Sequence, residues 1–362
     1  MQNKKLTVVQ ITDQLNVGGA ERVLVTLSNL LHKNGHSVTV VTTVAKGPLA
    51  AQLNAGVPVI DLQRKWKWNP IKMWQLVKTI KAFDIIHVHS SYNLRYIFLT
   101  AKLFALRKPI FFHEHFGDIE TNKNVSWHQR LIYPKTILIA VSRSIEQWAL
   151  HILKMESKRV FLLPNTVHVI KVNEAIKTSV DGIKKLLLVA NIRPTKNIEF
   201  AIDLLKDLNA TGLFHLTIIG KLTERGYFES LKQKIKQLQL AERVNFIFDA
   251  DEIQPLLHQF DLAIHTSKSE SGPLVLIEYM AQGLPFITFN TGEVVQQIKS
   301  ELPELITDDF NTTSWVEKTG FLLEGNNLLS IQEKMQRVFK AYYAEDEYYN
   351  RCMQIYVQGL KL

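Results

Sequence analysis

Two glutamates eight residues apart, Glu270 and Glu278, flank a Gly272-Pro273 step in a stretch that closes with Met280-Ala281-Gln282-Gly283-Leu284-Pro285. Proline in a first turn and glycine just past a last one mark a short helix. The segment of Ser271, Gly272, Pro273, Leu274 and Val275 that opens it carries backbone donors with no helical partner, and these suit a phosphate. Carboxylates on either side could then accept hydrogen bonds from sugar hydroxyls, although Glu278 could instead be a solvated helix residue. A second anion-ready position is Gly18-Gly19, just ahead of a helical run through Val23, Leu24, Leu27, Leu30 and Leu31. Paired glycines there admit a ligand close to the backbone, although a plain tight turn would read the same. Neither stretch is Gly-x-Gly-x-x-Gly or a P-loop, so a nicotinamide site and an ATPase gain no support.

Histidines form the other group. His113-Glu114-His115 closes a strand at its carboxyl end, where either ring could face a ligand or be a satisfied structural residue. His87 and His89 alternate on another strand and share a face, but buried, hydrogen-bonded rings would look identical. Metal ligation is not expected, because the sequence marks no third ligand beside that pair. No Cys/His run has zinc spacing, and the single cysteine, Cys352, cannot form an internal disulfide. A reducing, cytoplasmic setting is the expectation.

The elements that must carry these residues alternate short β-rich runs with longer segments of helical period, the pattern of parallel sheets covered by helices. Strands are expected at 6–11, 37–42, 84–89, 109–115, 136–142 and 160–163, and again at 185–192, 214–220, 244–248, 261–266, 285–289 and 320–323. This predicts an α/β protein of two doubly wound, Rossmann-like domains, residues 1–170 and 180–345, joined by a polar linker at 168–182. The closing helix, 346–362, could pack on either domain, with a return to the first expected. At 362 residues the chain exceeds one ordinary core.

Composition, 46% hydrophobic and 21% charged, is that of a globular protein. The net charge of +9 is uneven: residues 1–165 hold 22 Lys and Arg against 9 Asp and Glu, leaving 21 against 25 in the rest. This points to an anionic partner of the first half, although a merely soluble basic surface would read the same. The stretch Arg64-Lys65-Trp66-Lys67-Trp68-Asn69-Pro70 and the amphipathic run after it suit an anionic membrane interface, though the same stripe could simply pack on the sheet. Nucleic acid is not expected, for want of any binding module. The apolar stretches 96–106 and 136–141 are too short to span a bilayer, and the amino terminus lacks the features of a signal peptide.

Taken together, these stretches resemble the retaining glycosyltransferases of family four, which have the GT-B fold of two Rossmann-like domains facing each other across a cleft. The resemblance runs through Gly18-Gly19-Ala20-Glu21, Asp84-Ile85-Ile86-His87-Val88-His89-Ser90, Ala140-Val141-Ser142, Leu163-Pro164-Asn165, Asn191-Ile192-Arg193-Pro194-Thr195-Lys196-Asn197 and the glutamate pair. It implies a first domain for the acceptor and a second for a nucleotide-sugar donor, with UDP favoured. By that resemblance Glu278 holds the ribose, and Glu270 with the amides after it holds the sugar and its phosphates. Gly18 and Gly19 approach the diphosphate, and His115, or else His113, lies beside the transferred sugar. An arginine and a lysine five residues later neutralise the leaving group in the family. Lys196 matches the lysine, but Asn191 stands at the arginine's place, which leaves Arg193 as its substitute or as a surface loop residue. The reaction it implies is hexosyl transfer with retention, needing no metal or other cofactor. The acceptor is a saccharide or lipid-linked hydroxyl in bacterial cell-surface polysaccharide or glycolipid assembly at the inner membrane face. A sugar-nucleotide epimerase or phosphorylase of the same fold, or a non-catalytic nucleotide-sugar-binding scaffold, are the alternatives.

Overall fold

The computed structural model describes residues 5–117, 119, 122–171, 182–248, 250 and 252–362. The chain divides into two compact units, residues 1–168 with 344–362, and residues 169–343. Most of the expected linker, 168–182, lies outside the described residues.

The first unit runs β1 (Thr7–Gln14), α1 (Gly19–Lys33), β2 (Ser37–Ala45), β3 (Val59–Asp61), α2 (Pro70–Ile80), β4 (Ile85–His89), α3 (Ser91–Leu103), β5 (Ile110–Glu114), α4 (Trp127–Ile132), β6 (Ile137–Ala140), α5 (Arg143–His151) and β7 (Val160–Leu162). The second follows with β8 (Ile183–Val189), α6 (Ile198–Leu208), β9 (Leu213–Ile219), α7 (Arg225–Gln237), β10 (Val244–Ile247), β11 (Leu262–His265), α8 (Leu274–Gln282), β12 (Phe286–Phe289), α9 (Gly292–Ile298), β13 (Ile306–Thr307), α10 (Thr312–Leu323) and α11 (Gly325–Tyr342). The last helix, α12 (Glu345–Gly359), belongs to the first unit. Glu345, Asp346 and Glu347 form its first turn, where the helix dipole favours them.

Strand order is β3-β2-β1-β4-β5-β6-β7 in one sheet and β10-β9-β8-β11-β12-β13 in the other. Neighbours pair parallel throughout, for example Val8 with Val38 on one side and Ile85 on the other. Strands such as Ile137–Ala140 and Leu262–His265 are buried on both faces, which explains their largely unalternating apolar sequence. Each unit is therefore Rossmann-like, with its order reversing beside β1 and beside β8. One device fixes both reversal points. Asp84, just before β4, accepts from the Thr7 amide at 2.9 Å, and Asp261, just before β11, accepts from the Lys185 amide at 2.7 Å. Ligands of such sheets bind at the carboxyl ends of the strands flanking the reversal, so the loops after β1, β4, β8 and β11 are the ones to inspect.

Two expectations need correction. Residues 320–323 end helix α10, whose start is capped by the Asn311 side chain accepting from the Thr313 amide at 3.0 Å. Trp315, Thr319 and Leu322 are its buried stripe, so the apolar Phe321-Leu322-Leu323 run is a helix end and not a strand. The sixth strand of that sheet is the two-residue β13, and β3 is a short edge strand without a sequence signal of its own.

Candidate active site

In the second unit the loops after β8 and β11 are laced together. The Lys268 amide donates to the Thr195 carbonyl at 2.9 Å, and the Thr266 hydroxyl donates to the Lys196 carbonyl at 2.8 Å. This brings the Lys196 ammonium onto the Glu270 carboxylate in an ion pair whose side chains are only 13% and 12% exposed. His265, the last residue of β11, adds a contact from Nε2 to the same Glu270 oxygen at 3.2 Å, and its Nδ1 lies 3.0 Å from the Thr288 hydroxyl. Burial alone would push the Glu270 carboxyl up, but Lys196 and His265 outweigh it and hold the group well below the usual carboxylate range.

A third loop joins the two. The Thr291 hydroxyl accepts from the Glu270 amide at 3.2 Å, and the Glu293 amide donates to the Ser271 carbonyl at 2.7 Å. Gly292 permits this approach: its φ is +82°, and a Cβ there would come 2.9 Å from Glu270 Cβ and 3.1 Å from Pro273 Cδ. From Pro273 the chain enters α8 without a side-chain cap, and Gly283 ends it in the left-handed conformation at φ +73°. Glu278 is 5% exposed in the middle of α8. Burial and then the Glu278 charge push the Tyr279 phenol upward.

Arg193 shares the short turn with Lys196, and its Nε is buried without a hydrogen-bond partner. Asn191, exposed, accepts from the Lys221 amide at 3.3 Å and serves as a brace between loops. Thus Arg193, Lys196, Glu270, Ser271, Gly272, Pro273, Leu274, Val275 and Glu278 belong to one loop-and-helix constellation. His265, Thr291 and Gly292 were missed by sequence reasoning. Thr291-Gly292 carries the signal used elsewhere, a strand end followed by glycine at a helix start.

In the first unit, Gly18 is the extended residue before α1 and Gly19 its first residue. A Cβ on Gly18 would meet only the flexible end of Glu21, whereas one on Gly47, at φ +71°, would come 2.4 Å from the Leu15 backbone that follows β1. His113 and His115 both lie at the end of β5. His113 is fully buried, and His115 alone of the two keeps exposed surface. His115 is held down at about 3 by burial, so its ring is neutral. Its Nε2 sits 3.2 Å from His89 Nδ1, and His89 Nε2 lies 2.8 Å from the Gln10 side-chain carbonyl. Glu114 points to the opposite face, where the Tyr133 hydroxyl donates to it at 3.0 Å and burial raises it to about 7. His87 stacks on His89 and places Nδ1 2.7 Å from the Tyr356 hydroxyl. His87, His89 and His113 do form a trio of the kind that holds a metal. The expectation that His87 and His89 lack a third neighbour is therefore corrected: β5 supplies His113 across the sheet.

Two parallel-sheet Rossmann-like domains, each with a helix start at its strand-order reversal, are the make-up of the GT-B fold. The profile described as "Glycosyl transferases group 1" matches residues 170–343, and that of "Glycosyltransferase Family 4" matches residues 17–170. The chain belongs to these family-four glycosyltransferases. Among relatives, it is 23% identical over 331 residues to the amylovoran biosynthesis glycosyltransferase AmsD of Erwinia amylovora, covering 88% of each chain. It is also 23% identical over 322 residues to an uncharacterized glycosyltransferase of Haemophilus influenzae, covering 86% of this chain and 84% of that one. HepE of Anabaena, solved in complex with UDP-glucose, superimposes with a TM-score of 0.79 at 19% identity over 99% of this chain and 100% of that one.

Proposed function

We propose that this glycosyltransferase moves a hexose from a UDP-sugar, with retention at the anomeric carbon, to a hydroxyl of a saccharide or lipid-linked acceptor in cell-surface polysaccharide or glycolipid assembly. The observation that carries the reading is the buried Lys196–Glu270 pair at the mouth of α8, with Glu278 buried on the same helix. HepE, crystallised with UDP-glucose, and AmsD, named for polysaccharide biosynthesis, support the donor and the product class.

Leaving-group chemistry assigns the roles. A departing nucleoside diphosphate gathers negative charge, which Lys196, Arg193 and the amides opening α8 stabilise most as the bond breaks. Glu278 accepts from the ribose hydroxyls. Glu270, kept ionised, accepts from hydroxyls of the sugar and shares Lys196 with the phosphates. Within the first unit, Gly18 and Gly19 open a helix whose free amides suit a phosphate, and the neutral His115 ring suits a sugar hydroxyl. The acceptor oxygen forms its bond to the anomeric carbon on the face the diphosphate leaves, and a departing phosphate oxygen takes the acceptor proton.

Thermal unfolding against UDP, other nucleoside diphosphates and UDP-hexoses, in the wild type and in Glu278→Gln, tests this. One UDP-sugar at 100 times its Kd should stabilise the wild type by about 2.7 kcal/mol, and the variant should lose the shift. No shift in the folded wild type overturns the donor assignment. The anomeric configuration of the product, read by proton NMR coupling, decides retention.

The reading extends to location. No helix among the described residues is long and apolar enough to cross a membrane. Beside α2, however, Trp66, Trp68, Ile71 and Trp74 are 75%, 45%, 65% and 52% exposed among lysines, while Met73, Leu76 and Ile80 pack inward. Indoles and ammonium groups so arranged suit an anionic lipid surface at the cytoplasmic face. Binding to vesicles containing anionic lipid, weakened in Trp66→Ser/Trp74→Ser, is the expected result. Equal binding by wild type and variant removes the membrane from the proposal.

A further inference from the structure

Four imidazoles meet on one face of the first sheet. His87 and His89 alternate along β4, His113 is in register with His89 on β5, and His115 follows one pleat later. Ring centroids lie 5.3 Å apart for His87–His113 and for His89–His113. The transfer chemistry above uses only His115. One ligand nitrogen from each of His87, His89 and His113 lies within 4.8 Å of the other two, in a fully buried position. Both ring nitrogens of His113 and Nε2 of His87 are buried without a hydrogen-bond partner. Orphaned buried polar atoms are each destabilising, and an occupant that accepts a lone pair from His87 and one from His113 would satisfy two of the three.

At two of the three rings, His87 and His89, the outer contacts already have the form a metal requires. A ligating histidine donates its second N–H to an oxygen, which fixes the ring and the tautomer. The Tyr356 hydroxyl stands 2.7 Å from His87 Nδ1, and the Gln10 carbonyl oxygen 2.8 Å from His89 Nε2. Donation to those oxygens leaves His87 Nε2 and His89 Nδ1 as lone pairs, the latter releasing its contact with His115. Burial, then repulsion among the rings, keeps all three neutral, the form that ligates.

We propose that His87, His89 and His113 form a zinc site that clamps β4 to β5 beneath α12, with water in the fourth position. Three imidazoles without a carboxylate or thiolate suit Zn²⁺ and its transition-metal neighbours and not Mg²⁺ or Ca²⁺. Zn–N bonds of 2.0–2.1 Å in a tetrahedron set N···N near about 3.4 Å, so loading draws the ligand atoms inward by at most about 1.4 Å.

Cobalt substitution tests it on the full chain without a polyhistidine tag. After EDTA treatment, Co²⁺ should develop the visible absorption of a tetrahedral site, saturating at a single equivalent and displaced by Zn²⁺. His113→Phe should abolish the band, and His168→Ala, at an exposed histidine, should retain it. His113→Cys keeps a ligand and should add a thiolate-to-cobalt charge-transfer band, which covers failure of the phenylalanine variant to fold. No band in the wild type, an undiminished band in folded His113→Phe, or a His113→Cys spectrum identical to wild type each overturns the site. Binding of UDP-sugars plays no part in these readings.

Discussion

The two units place their polar groups differently on the same scaffold. In the second, Lys196 and Glu270 sit on loops beyond the strand ends, and a full positive charge faces a full negative one. In the first, His87, His89 and His113 sit within the strands and carry no charge. Loop residues can be exchanged without disturbing a sheet, whereas a ring inside β4 or β5 is committed to whatever packs over it. That cover is α12, which starts after the second unit and returns: Tyr356 meets His87, and Gly359 lies so close to Phe111 that a Cβ would come 2.5 Å from its ring. A charged loop centre suits a ligand that comes and goes. A sealed, neutral centre suits a permanent one.

Breaking the charged pair should have the largest effect. Lys196→Ala removes the cation from both the diphosphate and Glu270. Turnover should fall by about 10²–10³-fold, by analogy with loss of one preorganised donor at a developing charge. The orphaned carboxylate should also destabilise the second unit by about 3–5 kcal/mol. Steady-state kinetics and denaturant unfolding measure the two. A variant with normal stability would mean that Glu270 reaches water more freely than its 12% exposure indicates.

Next comes the turn that supports Glu270. Gly292→Ala forces a side chain into a left-handed φ and against Glu270 Cβ, and strain of this kind is worth about 1–3 kcal/mol. The midpoint of urea unfolding should drop accordingly, and KM for the donor should rise because Glu270 is displaced. An unchanged KM would detach this turn from donor binding.

Much of this was legible in sequence, and the omissions have a common cause. Glu270, Glu278, Gly272-Pro273 and Gly283 lie within one strand–loop–helix unit, so local spacing announces them. The strands of both sheets announce themselves by buried β-branched runs. Thr291 matters because its hydroxyl meets the Glu270 amide from the loop after β12, at 3.2 Å, and no local pattern encodes such a contact; His265, five residues before Glu270, touches it at 3.2 Å only through the fold-back of the loop after β11. His113 joins His87 and His89 only through the register of β4 with β5. Residues 320–323 misled because a short apolar run has no period of its own, and the cap at Asn311, nine residues upstream, decides it.

On the first unit, Tyr356→Phe removes the hydroxyl between α12 and His87. Loss of this buried hydrogen bond should destabilise the chain by about 1–2 kcal/mol and weaken Co²⁺ binding without abolishing it, because the hydroxyl orients a ligand and is not one. Calorimetry and the cobalt titration check both statements. Intact stability would show that α12 is held by its apolar stripe alone.

The smallest effect is also the one that separates the units most cleanly: their response to acid. His36 Nδ1 accepts from the Leu6 amide at 3.1 Å, so its Nε2 carries the proton facing the Tyr349 hydroxyl at 2.8 Å. A second proton on Nδ1 would break the Leu6 bond. Burial, reinforced by Lys5, lowers the folded pKa below 6.5. The unfolded chain then binds more protons, so the His36 contribution is complete above pH 6.5. It is lost as pH falls from there toward the folded value, with a slope of at most about 1.4 kcal/mol per pH unit. Glu270 is lowered from 4.5, so the second unit keeps its contribution down to that pH and loses it only below. Hydrogen-exchange protection factors, taken relative to the intrinsic rate at each pH, should therefore fall between pH 7 and 5 in β1 and α12 while those of α8 hold, and His36→Gln should flatten the first response. An equal fall in both units would mean that they open together, and His36 would then have no separate role.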